Sequence, residues 1–161
     1  MAMPLEGIRV LDWSCFQQGP TTSVLLADMG ADVIKIEPPE GEPGRGLLRI
    51  LGIAMPVDFY YTNQNRGKRG IVLDLSKEAA KGVLYKLVEK SDVFVTNYRY
   101  VVAKRLKLDY ETLSPYNPKL VYVLSSGYGM QGPDVDLPSA DFAGQARGGI
   151  CSVTRTEEGR P

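Results

Sequence analysis

Three cations, Arg66, Lys68 and Arg69, crowd the stretch "NQNRGKRG" immediately before the apolar run "IVLDL". The entrance to a strand needs no such charge. Beside glycines, cations suit phosphate oxygens, because backbone amides can join the side chains around an anion. Arg45 sits in another stretch rich in Gly and Pro, Arg99 follows "DVFVTNY", and Arg105 comes one or two turns later. Phe16, Tyr98 and Tyr100 offer apolar or stacking surface for a base. These residues describe a phosphorylated ligand, with an elongated adenine nucleotide as the best match. The chain of 161 residues contains no histidine, so Ser-His-Asp and Cys-His nucleophilic systems, imidazole bases and most zinc sites are excluded. Cys15 and Cys151 lie far apart with no CxxC spacing, which argues against a disulfide framework and for the reducing cytoplasm.

The net charge is zero and the isoelectric point about 6.3, so no basic field points to nucleic acid. No apolar run approaches the ~20 residues that span a bilayer. The start "MAMPLEGIRV" lacks the cationic and apolar regions of a signal peptide.

The elements that must position these residues are legible as alternating strands and helices. "GIRVLDWS" at 7–14 reads as a strand, with Gly19 and Pro20 in the turn after it. "TTSVLLADMG" reads as a helix closed by Gly30, and "ADVIKIE" as a second strand. Residues 38–58 form a long loop with one helical turn. "GIVLDL" is the third strand, and it places Asp74 inside it, as the first strand does Asp12. Ser76 is a good N-cap for a helix whose Ala79, Val83, Leu87 and Val88 share a face. "DVFVTN" is the fourth strand, one or two short helices follow, and "KLVYVLSSGYG" is the fifth. "ADFAGQARGG" opens another helix. Strands separated by helices imply β-α-β units and a buried, mostly parallel sheet, an α/β fold of Rossmann-like type. The polar tail "CSVTRTEEGRP" has no stop signal, which reads either as an ordinary frayed terminus or, more sharply, as a chain cut before its large domain is complete.

In open parallel sheets ligands bind beyond the carboxyl ends of the strands. Here those ends are "SCFQQGP", "EPPEGEPGRG", "TNYR" and "SSGYG". The first turn offers one glycine where a dinucleotide fingerprint uses three, which disfavours a nicotinamide cofactor.

At these residues the sequence resembles family III CoA-transferases, the CaiB–BaiF type that includes formyl-CoA transferase, carnitine CoA-transferase and 2-methylacyl-CoA racemase. The resemblance is carried by "GIRVLDWSCFQQGPTTSVLLADMGADVIKIEPPEGEPGR", "NQNRGKRGIVLDL", "DVFVTNYR" and "LVYVLSSGYGMQGP", and runs from about Leu5 to Gly149. It implies a CoA-binding large domain and an interlocked homodimer. It also implies transfer of CoA from an acyl-CoA to a carboxylic acid through an aspartyl intermediate, with no metal and no tightly bound cofactor. Carried over by position, Phe16 and Gln17 border the CoA and acyl site. Lys68 and Arg69 match cations beside the nucleotide, Asn97, Tyr98 and Arg99 match an "N-F-R" segment, and Arg105 matches a residue contacting phosphate. The family continues that segment with Pro-Gly, where Tyr100-Val101 follow here.

"LPSADFAGQARGG" aligns Asp141 and Gln145 with family positions close to the acyl site. The racemase branch carries a histidine before that aspartate, whereas this chain has Ala140, so racemase or isomerase chemistry is the alternative. The family's chains are more than twice as long, and the resemblance implies that the nucleophilic aspartate falls beyond Pro161. Asp141 is then the nearest catalytic candidate within the chain, with a helix N-cap as its structural role. This chain alone is expected to be inactive. A non-catalytic CoA-binding half of a split enzyme is the further alternative.

Overall fold

The computed structural model describes residues 2–154. The chain divides into two compact units, residues 1–125 and 126–161. In the first, the strands are β1 (Arg9–Trp13), β2 (Asp32–Glu37), β3 (Arg69–Val72), β4 (Val93–Thr96) and β5 (Val121–Leu124), in the order β3-β2-β1-β4-β5. Every pairing is parallel, with Val10 opposite Val33 and Val93, and Asp12 opposite Lys35 and Val95. The interleaved helices are α1 (Gln18–Asp28), α2 (Leu47–Ile50), α3 (Phe59–Asn65), α4 (Glu78–Val88), α5 (Tyr100–Leu106) and α6 (Tyr110–Leu113).

The inner strands β1, β2 and β4 are largely apolar and buried on both faces because helices cover both. On one side Leu11, Trp13, Ile34, Ile36 and Phe94 pack with Leu84 and Val88 of α4 and Ala103 of α5. On the other, Val10, Val33 and Val95 meet Leu26 and Ala27 of α1. Alternation along β1 places Asp12 on the same side as Val10, under α1.

Several sequence expectations shift. Gly19 and Pro20 lie inside the first turn of α1, where a proline's missing N–H costs nothing. Gly30 follows the helix at φ +100°, the left-handed conformation expected of it. Ser76 does not cap α4: its hydroxyl donates to Asp74 Oδ1 at 2.6 Å, and the helix starts at Glu78. The buried face of α4 is then Lys81, Leu84 and Val88, while Val83 is 43% exposed. Asp74 stands beyond the end of β3, which closes at Val72. Helix α3 was absent from the expected elements.

The second unit holds α7 (Asp141–Arg147) and α8 (Ile150–Val153). There Arg147 pairs with Asp134 at 2.5 Å and its guanidinium lies 4.9 Å from the Tyr128 ring centre. Most of the polar tail, residues 155–161, lies outside the described residues. Pro161, beyond which the nucleophile is expected, is among them. No helix among the described residues is long and apolar enough to cross a membrane.

Candidate active-site crevice

In this strand order the connections turn one way from β1 through β2 to β3, and the other way from β4 to β5. The switch point therefore lies between the carboxyl ends of β1 and β4, the position at which open α/β sheets bind ligands. The turn after β1 carries Ser14, Cys15, Phe16 and Gln17, and the loop after β4 carries Asn97, Tyr98 and Arg99. Asn97 joins the two: its amide donates to the Cys15 carbonyl at 2.8 Å, and its side-chain oxygen accepts the Cys15 N–H at 2.9 Å. The ring of Tyr98 stacks on Trp13 with centres 4.5 Å apart. Phe16 adopts φ +59°, rare for a residue with a Cβ, and is 42% exposed. Its N–H donates to Glu42 Oε2 at 2.9 Å. The fold thus gathers five predicted site residues, Phe16, Gln17, Asn97, Tyr98 and Arg99, on the two loops flanking one switch point. Arg99 occupies the N-cap position of α5 without a side-chain cap, and Arg105 is exposed in the last turn of that helix, where a cation complements the helix dipole.

The remaining cations already face carboxylates. Arg45 donates to Glu37 through Nε at 2.6 Å and Nη2 at 2.8 Å, and its guanidinium lies 3.7 Å from the Tyr61 ring centre. Tyr61 donates its hydroxyl to the same Glu37 at 2.7 Å. Burial pushes the Glu37 carboxyl up, but the Arg45 and Tyr61 hydrogen bonds and the Glu42 N–H outweigh it and bring its pKa down to about 2. Burial and this carboxylate push the Tyr61 hydroxyl up. Arg66 reaches Asp28, and Arg69 is bidentate to Asp32 at 2.8 and 2.6 Å. Arg69 opens β3 and Asp32 opens β2, so this pair stands at the amino-terminal edge of the sheet, opposite the ligand edge.

Lys68 is turned inward. Its side chain is 1% exposed, and its ammonium donates to Asp12 Oδ2 at 2.8 Å, the Pro20 carbonyl at 3.0 Å and Asn65 Oδ1 at 2.9 Å. An ammonium has three protons, and all three are engaged inside the protein. The anion that Lys68 meets within the fold is Asp12. A second buried ammonium, Lys35 of β2, donates to the Ser14 carbonyl at 2.6 Å and lies 3.8 Å from Asp12 Oδ2. Ser23 of α1 donates to the same Oδ2 at 2.6 Å, and Ser14 donates to Oδ1. Burial pushes the Asp12 carboxyl up, yet the charges of Lys35 and Lys68 hold it below the usual carboxylate range. Burial pushes the Lys68 ammonium down, against the opposing pull of Asp12.

Asp12, Lys35 and Glu42 were not among the candidates. The sequence carried one usable signal: a lysine inside the apolar strand "DVIKIE" and an aspartate inside "VLDWS" each demand a buried partner. The parallel register places them side by side.

A cavity of about 690 Å³ opens along residues 45–61, lined by Arg45, Arg49, Ile53, Met55, Asp58 and Tyr61. In the second unit Asp141 is exposed as the first residue of α7, and Ala140 takes the cap position. The Asp141 carboxylate accepts the Gln145 amide at 2.5 Å, so the two aligned residues of that motif engage each other one helical turn apart.

Residues 5–161 match the family described as CoA-transferase family III. The chain is similar to formyl-CoA:oxalate CoA-transferase of Streptomyces avermitilis, at 40% identity over 162 residues covering 100% of this chain and 39% of that protein. It is 37% identical to succinate–glutarate CoA-transferase of Agrobacterium fabrum, covering 98% of this chain and 41% of that one. Among solved structures, Rv3272 of Mycobacterium tuberculosis superposes with a TM-score of 0.91 at 36% identity, over 99% of this chain and 44% of that chain. A CAIB/BAIF family protein of Brucella suis gives 0.89 at 33%, over 100% and 43%. The chain spans about two fifths of the length of the curated relatives it matches. With a parallel sheet whose strand-end motifs stand at the switch point and a match running over nearly its whole length, the chain belongs to CoA-transferase family III.

Proposed function

We propose that this chain supplies the CoA-binding part of an enzyme that moves CoA from an acyl-CoA donor to a carboxylic acid. The observation that carries the reading is the convergence of Phe16, Gln17, Asn97, Tyr98 and Arg99 at the β1–β4 switch point of a family III fold. Exposed Phe16 and Gln17 border the thioester end of the ligand. Arg99 and Arg105 face its phosphates, with Arg45, held on Glu37, at the neighbouring loop. Lys68 serves the site from beneath, and Arg69 contributes charge at a distance.

In the whole enzyme a carboxylate attacks the donor thioester, forming a mixed anhydride and releasing CoA thiolate. The thiolate attacks the anhydride at the enzyme's carbonyl, expelling the donor acid and leaving an aspartyl–CoA thioester. The acceptor carboxylate attacks that thioester to give a second anhydride. CoA thiolate then takes the acceptor's acyl group and frees the aspartate. Each step exchanges one acyl bond for another, so covalent catalysis divides one hard exchange into easier transfers. Backbone amides of the glycine-rich turns are suited to stabilising the oxyanions. No step needs an imidazole. With Ala140 where the racemase branch has histidine, acid-to-acid transfer is preferred over α-proton exchange. We place the enzyme in the cytoplasm as a homodimer.

We assign the nucleophile to a residue beyond Pro161, outside this chain, with Asp141 in a positioning role. The test is to incubate the chain with an acyl-CoA, quench it, and search by mass spectrometry for an adduct that hydroxylamine removes. The expected result is no adduct on any carboxylate of this chain, since loss of a covalent nucleophile costs several orders of magnitude. A stoichiometric adduct on Asp141 contradicts the assignment.

A further inference from the structure

The turn that carries Phe16 and Gln17 is held at successive backbone atoms by side chains from elsewhere in the fold. Lys35 takes the Ser14 carbonyl at 2.6 Å, Asn97 takes both backbone groups of Cys15, and Glu42 accepts the Phe16 N–H at 2.9 Å. Lys68 takes the Pro20 carbonyl at 3.0 Å. The two lysines approach the turn from its two ends and share one carboxylate oxygen, Asp12 Oδ2, at 3.8 and 2.8 Å. Lys35, Lys68 and Asp12 have side chains at most 1% exposed, so none of the three touches a ligand in solvent. A residue with a Cβ at φ +59° persists only where its surroundings over-determine it. Here those surroundings are charged and buried.

We infer that Lys68 and Lys35, joined through Asp12, are positioning residues that hold the Ser14–Gln17 turn and the first turn of α1 in their ligand-binding shape, so that Lys68 acts on the ligand through this segment and not by contact with phosphate. The inference rests on the CoA reading for its effect on binding, while the clamp itself is visible without any ligand.

Charge counting selects the variant. Two ammonium groups share one carboxylate, so Lys68→Met leaves Asp12 and Lys35 as a one-to-one pair. Asp12→Asn would strand two buried cations, which is the costlier change. Val88→Ala, in the α4 core, is the control for general destabilisation, and Lys68→Gln is the second variant should Lys68→Met not fold.

Hydrogen exchange of the free protein comes first. Lys68→Met is expected to speed exchange in the peptide spanning residues 14–23 by at least about tenfold, while β4 keeps its protection. Val88→Ala should leave residues 14–23 as in wild type. Titrations with CoA and with pantetheine, which lacks the nucleotide, follow at two salt concentrations. The expected result is an equal loss of affinity for both ligands, about tenfold or more, with the salt dependence of CoA binding unchanged, because screening acts on exposed charge pairs. Selective loss of CoA affinity with a flattened salt dependence would assign Lys68 to phosphate and overturn the inference. So would unchanged exchange at residues 14–23. Altered exchange in a protein whose wild type binds neither ligand would overturn the CoA reading and leave the clamp standing as a structural device alone.

Discussion

Glu37 closes β2 with its carboxylate accepting from Arg45, from Tyr61 and from the Glu42 N–H at 3.1 Å. One oxygen pair thereby ties the strand end, the loop at 42–45 and α3 together. Its folded pKa of about 2 lies below the ordinary 4.5, so the ionised form is favoured by folding. That contribution is fully present above the unfolded value and is lost as pH falls from about 4.5 toward 2. Glu37→Gln should therefore be less stable than wild type at pH 7, and the gap should narrow across that acid window. Urea unfolding of both proteins at several pH values measures it, and a gap independent of pH would contradict the assignment of Glu37 as an ionised hub.

At the scale of elements, the β1–α1 connection is the part with least freedom. A Cβ built on Gly19 would stand 2.3 Å from Ser14 Cβ, 2.7 Å from its Oγ and 3.1 Å from Asn97 Cγ. Gly19 thus permits the start of α1 to pack against the turn and against the loop after β4. Gly19→Ala should cost roughly 1–3 kcal/mol as an overpacking change, read by thermal or urea unfolding, and a neutral result would show that the turn yields easily. The strands were legible because each is an apolar run bounded by turn residues, a pattern that burial on both faces writes most directly in β1, β2 and β4. Helix α3, "FYYTNQN", was not legible. It has no apolar stripe, and it is held instead by Asp58 capping the Tyr61 N–H at 3.1 Å and by Gln64 accepting the Thr21 hydroxyl of α1 at 2.6 Å. The placement of Phe16, Gln17 and Asn97 on the loops after β1 and β4 was legible, because it follows from strand ends. The inward turn of Lys68 was not legible, because the direction of a long side chain is set by a partner 56 residues away. Residues 66–69 look like a phosphate cradle in one dimension. In three dimensions Arg66, Lys68 and Arg69 each already have a carboxylate.

At the scale of the molecule, the chain belongs to CoA-transferase family III and spans about two fifths of its relatives' length. Under the proposed function, binding belongs to this part and the covalent carboxylate to another. The most direct test is calorimetric titration of CoA into the protein, with the emission of Trp13, the single tryptophan, as a second signal. Trp13 ends β1 and stacks on Tyr98 at the proposed crevice, so a ligand seated there should alter it. The prediction is one saturable site per chain, with CoA bound more tightly than pantetheine and the Trp13 signal saturating at the same ratio. Absence of both heat and spectral change at high CoA concentration, from a protein shown to be folded, would contradict the claim that this part of the family fold holds the coenzyme.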